Sequence, residues 1–179
     1  MKIIKPLLNL TTFWATLMLM STNAYAQFSS AGEGPISIFA DNMISEGKKT
    51  TLTGGVDVRQ GDTRVLADKM VITSTDGTNF QGRNFSRVEA IGNFYYITKD
   101  QEMRGKKSIY TKSNDTFVVM GDVILKQADG SIVTGNKLYY NLTTEKSRVV
   151  GTCEGRKCGS RGRVNILINN SKKKSSASN

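Results

Sequence analysis

The stretch Phe39–Ile72 reads FADNMISEGKKTTLTGGVDVRQGDTRVLADKMVI, and it decides the predicted fold. Apolar and polar residues alternate along Val56–Arg59, which is the period of a β-strand with one buried face. Turn-forming pairs divide the rest of the stretch into short runs of β-formers: Glu46-Gly47, Gly54-Gly55 and Gly61-Asp62. The stretch therefore predicts one unit of a repeating antiparallel sheet.

Two short phrases recur along the chain. In the first, a small residue precedes polar residues and then an apolar one, as in Ala40–Met43, Ala67–Met70, Gly105–Ile109 and Gly135–Leu138. In the second, a glycine opens a run of β-formers, as in Gly55–Val58, Gly92–Phe94, Gly121–Ile124 and Gly151–Cys153. The repeat period of about 30 residues indicates small groups of strands that bury their apolar faces against one another.

Short β-rich runs at close spacing predict an all-β sandwich, barrel or roll, because almost no helical periodicity follows the amino-terminal segment. We expect roughly a dozen to sixteen short strands. The candidates are Ile36–Ala40, Asn42–Ile44, Thr50–Thr53, Val56–Gln60, Thr63–Ala67, Lys69–Ser74, Arg87–Ile91, Phe94–Thr98, Met103–Lys106, Ser108–Thr111, Thr116–Met120, Asp122–Gln127, Ser131–Thr134, Lys137–Asn141, Ser147–Thr152 and Arg163–Ile168. Further turns are expected at Asp76-Gly77, Asn114-Asp115 and Asp129-Gly130, and a longer loop over Thr75–Ser86.

The amino terminus resembles a secretory signal peptide. Two lysines precede the apolar stretch Leu7–Met20, and Ala24-Tyr25-Ala26 supplies a small-x-small cleavage pattern. The apolar stretch is shorter than the roughly 18 to 20 residues needed to span a bilayer. We therefore predict a signal peptide over 1–26, one exported domain over 27–170 and a disordered basic tail over 171–179.

Charge and rare residues narrow the classes of function. The sequence has 25 basic and 15 acidic residues and a net charge of +10, which suits an anionic partner or simply a soluble sheet protein. Because the protein is expected to be exported, we do not expect nucleic acid as a partner. The chain has no histidine and two cysteines, so a zinc site is not expected. Cys153 and Cys158 are expected to form a disulfide in an oxidising compartment, with free thiols as the alternative.

No catalytic pattern emerges. The absence of histidine removes histidine-dependent triads and acid–base pairs. Four aspartates stand next to small residues at predicted strand ends, where turn and cap roles are more common than paired-carboxylate chemistry: Asp41, Asp57, Asp68 and Asp122. We expect neither an enzyme nor a cofactor or metal.

Five phrases follow one another in order along the chain: PISIFADNM (35–43), TLTGGVDVRQGDTRVLADKMVI (51–72), FYYITKDQEMRGKKSIY (94–110), FVVMGDVILKQ (117–127) and GNKLYY (135–140). This ordered set resembles the LptA family, also called OstA, of periplasmic lipopolysaccharide export proteins. The resemblance implies an OstA-like antiparallel β-jelly-roll, V-shaped in section and open along one side. It further implies lipopolysaccharide transport through the periplasm, as a bridge between the two membranes, with LptC, LptD and further copies of the chain as partners.

Alternating apolar residues are predicted to line one interior: Ile36, Ile38, Val56, Val58, Met70, Ile72, Phe94, Tyr96, Phe117, Val119, Val123, Leu125, Leu138 and Tyr140. From alternation alone a dry core is the better interpretation. The resemblance implies instead a groove for lipid A acyl chains. A third possibility is an exported module that binds glycans or polyanions, or a structural repeat protein of the envelope.

The surface offers two further predictions. Basic residues near turns or on polar faces could pair with head-group phosphates or could simply form a solvated positive face: Lys48, Lys49, Arg59, Arg64, Lys106 and Lys107. The end strands Ile36–Ala40 and Arg163–Ile168 would have unpaired backbone edges, which suit end-to-end strand addition.

Overall fold

A computed structural model of the protein describes residues 34–75, 84–153, 155–158 and 162–170. Ten β-strands and two 3₁₀ helices (η1 and η2) occur in these ranges. They are β1 (Ser37–Phe39), β2 (Asn42–Glu46), β3 (Lys49–Gln60), β4 (Thr63–Ser74), β5 (Phe85–Ile97), β6 (Gln101–Thr111), η1 (Lys112–Asn114), β7 (Thr116–Gln127), β8 (Ile132–Asn141), β9 (Ser147–Val150), η2 (Arg156–Cys158) and β10 (Asn165–Leu167). The predicted signal peptide, the predicted basic tail, the Asp76-Gly77 turn and most of the predicted loop over Thr75–Ser86 lie outside the described residues.

All the strands form one antiparallel sheet. The six long strands β3 to β8 pair in chain order. At one end β1 and β2 both pair with β3, and at the other end β9 and β10 both pair with β8. The two ends do not pair with each other, so the sheet is not closed into a barrel. The all-β antiparallel prediction and the predicted end strands near residues 37 and 165 are confirmed.

A line of bulges crosses the sheet. The pairing register shifts at Gly54-Gly55 in β3, at Gly92-Asn93 in β5 and at Gly121-Asp122 in β7. All six residues have positive φ, which glycine adopts readily and which Asn and Asp tolerate better than other side chains. A β-bulge bends its strand. Because the bulges lie side by side, we infer that the whole sheet folds over along this line, which we call the vertex.

The vertex divides every long strand into two halves, and the halves form two arms. The first arm contains β2, β9 and the half-strands 49–53, 69–74, 85–91, 107–111, 116–120 and 137–141. The second arm contains β1, β10 and the half-strands 56–60, 63–67, 94–97, 101–105, 123–127 and 132–135. We call the side opposite the vertex, where the strand-connecting turns of both arms lie, the mouth.

The predicted number of strands is therefore wrong. The predicted pair Thr50–Thr53 and Val56–Gln60 is a single strand, β3, and the same holds for the pairs in β4 to β8. Gly54-Gly55 is a bulge inside that strand rather than a turn between two strands. A bulge and a turn both require positive φ, so their sequence signals are alike. The turns at Gly47, Gly61 and Asp129 lie where they were predicted.

Candidate functional site

The structure places the predicted groove residues on facing inner surfaces of the two arms. Twelve of the fourteen side chains are at most 9% exposed. Ile36 and Ile38 are half-buried and pack against the rim of this core. The inner surface is thus filled by contacts between the arms, where the resemblance led us to expect an open trough.

Near the vertex the two arms are in tight contact. Val56, Phe94 and Val119 are completely buried. A Cβ atom added to Gly105 of the second arm would lie 2.6 Å from Val119 Cγ1 of the first arm. A Cβ atom added to Gly135 of the second arm would lie 2.5 Å from Val149 Cγ1 of the first arm. Glycine is needed at both inward positions because a side chain would push the arms apart, so the vertex has no space for a guest molecule.

An aromatic cluster joins the arms from the vertex toward the mouth. The ring centroid of Phe117, on the first arm, lies 5.2 Å from that of Tyr96 and 6.2 Å from that of Phe94, both on the second arm. Tyr110 lies beside Phe117 at 4.9 Å. All these pairs are tilted, as is favourable for aromatic rings.

A cavity of about 640 Å³ opens at the mouth, on the outer side of this cluster. Its apolar lining includes Tyr96 and Leu125 of the second arm and Tyr140 and Leu142 from the other side of the mouth. The Gln101 side-chain amide donates a hydrogen bond of 2.6 Å to the Tyr140 hydroxyl, so one polar contact links the two arms here. The volume lies within the range of pockets that hold small ligands.

The rim of the cavity carries more negative than positive charge. Asp62, Asp100, Asp129 and Glu145 line it, together with Lys99. An anionic head group would therefore not be held at this rim by direct charge pairing.

Burial changes the ionisation of two of the inner tyrosines, Tyr110 and Tyr140. Burial raises the pKa of Tyr140. Burial, together with the 2.7 Å hydrogen bond that the Tyr110 hydroxyl donates to the Asp115 carboxylate, raises the pKa of Tyr110 well above its usual range. Both side chains are therefore neutral at physiological pH.

The basic residues predicted to meet phosphate do not converge on one site. Arg59 and Arg64 both bind the Asp57 carboxylate, at 2.7 and 2.8 Å, and these hydrogen bonds, with that from Arg64 foremost, lower the pKa of Asp57 to about 2. Lys107 pairs with Glu89 at 2.9 Å. Lys48 donates to a backbone carbonyl in the loop that follows β4. In the described part of the chain, these residues therefore form no shared pocket that could bind a head group.

Three of the four aspartates considered for catalysis have structural partners. Asp57 binds the two arginines named above, Asp68 accepts hydrogen bonds from the Asn93 amide, and Asp122 pairs with Lys106 at 2.6 Å. Asp68 and Asp122 belong to the vertex. In the described ranges, no three side chains of the His, Cys, Asp or Glu type are grouped so that they could hold a metal ion.

Cys153 and Cys158 are joined by a disulfide, with Cα atoms 6.1 Å apart. The described part of the segment between them contains η2. It lies where the chain passes from β9 on the first arm to β10 on the second. The Gly162 carbonyl accepts hydrogen bonds from the backbone amides of Thr152 and Cys153, which closes this connection.

Sequence inspection missed several residues of the interior. Met103, Tyr110, Val65, Leu52 and Val88 are buried on the same inner face. Each follows the two-residue period of its strand, so the signal was present in the alternation. Leu142 and Gln101 at the cavity were also missed, and they lie at strand ends, where periodicity gives no guidance.

The family described as LptA/(LptD N-terminal domain) LPS transport protein matches residues 37–146, which is more than half of the chain. The chain belongs to this family. The match covers β1 to β8, including the vertex and most of the cavity lining. It ends before β9, the disulfide and β10, so these carry no family assignment.

Individual relatives agree with the family. The lipopolysaccharide export system proteins LptA of Escherichia coli K12 and of Shigella flexneri are each 29% identical over 140 residues, covering 74% of this chain and 72% of theirs. The fold matches a crystal structure of LptH, the LptA homologous periplasmic component of the lipopolysaccharide transport device of Pseudomonas aeruginosa. That match has a TM-score of 0.61 and 22% identity, over 75% of this chain and 94% of LptH. The resemblance inferred from the sequence is confirmed.

Among the described residues, no helix is long and apolar enough to cross a membrane.

Proposed function

We propose that this protein carries lipopolysaccharide through the periplasm and holds the lipid A acyl chains between its two arms. The observation that supports this most directly is the cavity at the mouth, which adjoins the continuous apolar surface between the arms. Family membership supplies the substrate, because the related proteins are named for lipopolysaccharide export. The role is transport rather than catalysis.

Physical chemistry explains why such a site is needed. Removing each methylene group from water contributes about 0.8 kcal/mol, so a twelve-carbon chain contributes on the order of 10 kcal/mol. A carrier in an aqueous compartment must cover that surface. The cavity can receive the first part of a chain beside Tyr96 and Leu125. Further entry requires the arms to separate at the aromatic cluster, and a sheet whose two ends are not joined can open in this way.

The proposal is tested by photo-crosslinking at neighbouring tyrosines that face opposite sides. Tyr140 faces inward, whereas Tyr139 is 38% exposed on the outer face. Tyr96 and Tyr95 form a second such pair. Replacing each in turn with p-benzoylphenylalanine and irradiating with lipopolysaccharide should label positions 96 and 140 and leave 95 and 139 unlabelled. Equal labelling of both members of a pair would exclude an interior site.

The same experiment distinguishes interior binding of acyl chains from the alternative, a module that binds polyanions. A charge-driven module would bind through its basic outer surface, so positions 95 and 139 would react and 150–300 mM salt would release the ligand, since screening is then strong. Interior binding of acyl chains should persist in that salt. The proposed location in the periplasm can be checked by fractionating cells that express the full chain.

We further propose that copies of the protein join end to end, and that LptC and LptD occupy the two ends of such a bridge. Of the eight large apolar side chains that are exposed in the described part of the chain, six lie in or next to the edge strands. They are Phe39, Met43, Ile44, Ile166, Leu167 and Ile168. An edge strand presents unpaired backbone groups, and exposed apolar side chains beside them favour strand addition.

Light scattering over a range of concentrations tests this assembly. Ile44→Lys and Ile166→Lys place a charge on opposite edges, and each should lower the average mass. Ile91→Lys is the matched control, because Ile91 is also exposed but lies away from both edges. A monomeric wild-type protein at all concentrations would contradict self-assembly.

A further inference from the structure

The outer face of the first arm carries a row of alternating basic and apolar residues beside the vertex. Strand pairing places Lys69 next to Ile91, Ile91 next to Lys107, Lys107 next to Met120 and Met120 next to Lys137. The row ends at Val150 on β9, which pairs with Lys137. Neighbouring strands are about 4.8 Å apart, so successive lysines recur about every 10 Å. We call these six residues the lysine row.

The lysine row borders a second row that is mainly apolar. Val71, Ile109, Val118 and Tyr139 all lie there, with Glu89 as its acidic member. Ile91 and Tyr139 are each 38% exposed, and the other apolar residues of the two rows are half-buried. The face therefore combines lysine ammonium groups with an accessible aliphatic surface, and long lysine side chains can extend past such a surface to reach anions.

The two arms differ in the balance of charge on their outer faces. Six basic residues face outward on the first arm, against Glu46 and Glu89. They are Lys49, Lys69, Arg87, Lys107, Lys137 and Arg148. The second arm presents Arg59, Arg64, Arg104 and Lys126 against Asp57 and Glu102, and the first two of these arginines are bound to Asp57.

Neighbouring carboxylates leave most of the positive charge of the lysine row in place. Glu89 pairs with Lys107 but is also held by Arg87, at 3.1 Å, so these three residues keep a net positive charge. At the vertex, Asp122 is paired with Lys106, whereas Asp68 is hydrogen-bonded by the neutral Asn93 amide and keeps its negative charge. The three lysines of the row therefore outnumber this one carboxylate.

From these observations we propose that the outer face of the first arm docks on an anionic phospholipid membrane surface. The lysine row supplies the attraction to head-group phosphates, and Ile91, Met120 and Val150 contact the interfacial region between them. A lysine near an anionic bilayer is attracted within about one Debye length. This docking is independent of the carrier site, which lies on the opposite surface of the same arm.

Vesicle co-sedimentation tests the proposal with the full mature chain. We expect binding to vesicles of phosphatidylglycerol and phosphatidylcholine, weaker binding at higher salt, and little binding to phosphatidylcholine alone. The vesicles contain no lipopolysaccharide, so the interior site does not contribute. The variant Lys69→Gln/Lys107→Gln/Lys137→Gln should bind roughly 100-fold more weakly, if each lysine contributes what is typical of a basic residue near such a surface.

A second triple variant controls for net charge. Lys99→Gln/Arg104→Gln/Lys126→Gln removes three charges from the second arm and its turns, and should weaken binding less than about fivefold. Thermal melting of both variants should match the wild-type protein, because these side chains are at the surface. Equal losses in the two variants would reduce the effect to net charge and overturn the proposal. A wild-type protein that ignores anionic vesicles would overturn it as well, and would favour an acidic protein as the partner of this face.

Discussion

The vertex and the mouth are built from the same six strands but differ in almost every physical respect. At the vertex, glycine at positions 105 and 135 lets the arms approach until valine side chains touch backbone, and the interior is completely buried. At the mouth, the arms are separated by a cavity of about 640 Å³ and are linked by the hydrogen bond between Gln101 and Tyr140. The difference suggests that the vertex supplies stability and the mouth supplies access.

The largest effect is expected from emptying the vertex. Phe94→Ala should lower the free energy of unfolding by about 3 to 5 kcal/mol, because the ring is completely buried and its loss leaves a cavity. Urea denaturation followed by circular dichroism measures this. Tyr95→Ala, one residue away on the outer face, is the control and should cost about 1 kcal/mol or less. Similar losses in both variants would show that the vertex is not the tightly packed region.

The residues on the inner face of the long strands could be predicted from the sequence. The distance between the inner faces of the two arms could not. Alternation assigns Val56 and Val58, or Phe94 and Tyr96, to one surface regardless of the fold. Whether that surface is open or filled depends on how sharply the sheet bends. The bend depends on bulges at glycines, and those glycines give the same signal as turns. The family resemblance supplied the fold, but it could not supply the aromatic contact between Tyr96 and Phe117.

The second prediction concerns the close contact of the arms. Gly105→Ala should cost about 1 to 3 kcal/mol, because its Cβ would overlap Val119 Cγ1. Val119→Ala alone should also destabilise, by leaving a cavity. The double variant should lose less than the sum of the two, with a coupling of roughly 0.5 to 3 kcal/mol measured by urea denaturation. Strict additivity would mean that these residues do not press the arms against each other.

The third prediction concerns the pH dependence of stability. Tyrosine hydroxyls lie toward the mouth side of the interior, and their ionisation at high pH should destabilise the fold. The pKa of Tyr110 is raised above its ordinary value of 10, chiefly by burial. Its contribution to stability is fully present below pH 10 and is lost as the pH rises toward the folded-state pKa, because the unfolded side chain ionises first. Tyr110→Phe should therefore show a smaller loss of stability between pH 10 and 12 than the wild-type protein. Tyr139→Phe controls for loss of an outer hydroxyl, and an unchanged slope in Tyr110→Phe would refute this assignment.

The smallest effect on stability should accompany a gain in access. Tyr140→Phe removes the hydroxyl that accepts the Gln101 hydrogen bond, at a cost of about 0.5 to 1.5 kcal/mol. Under the proposed function, acyl chains enter by separating the arms at this point, so the variant should bind fluorescent lipopolysaccharide up to about tenfold faster. Stopped-flow mixing measures the rate. Val119→Ala at the vertex lowers stability without touching the mouth and should leave the association rate unchanged. A slower association in Tyr140→Phe would instead make the hydroxyl a contact for the lipid, and the mouth would then be a binding surface rather than a gate.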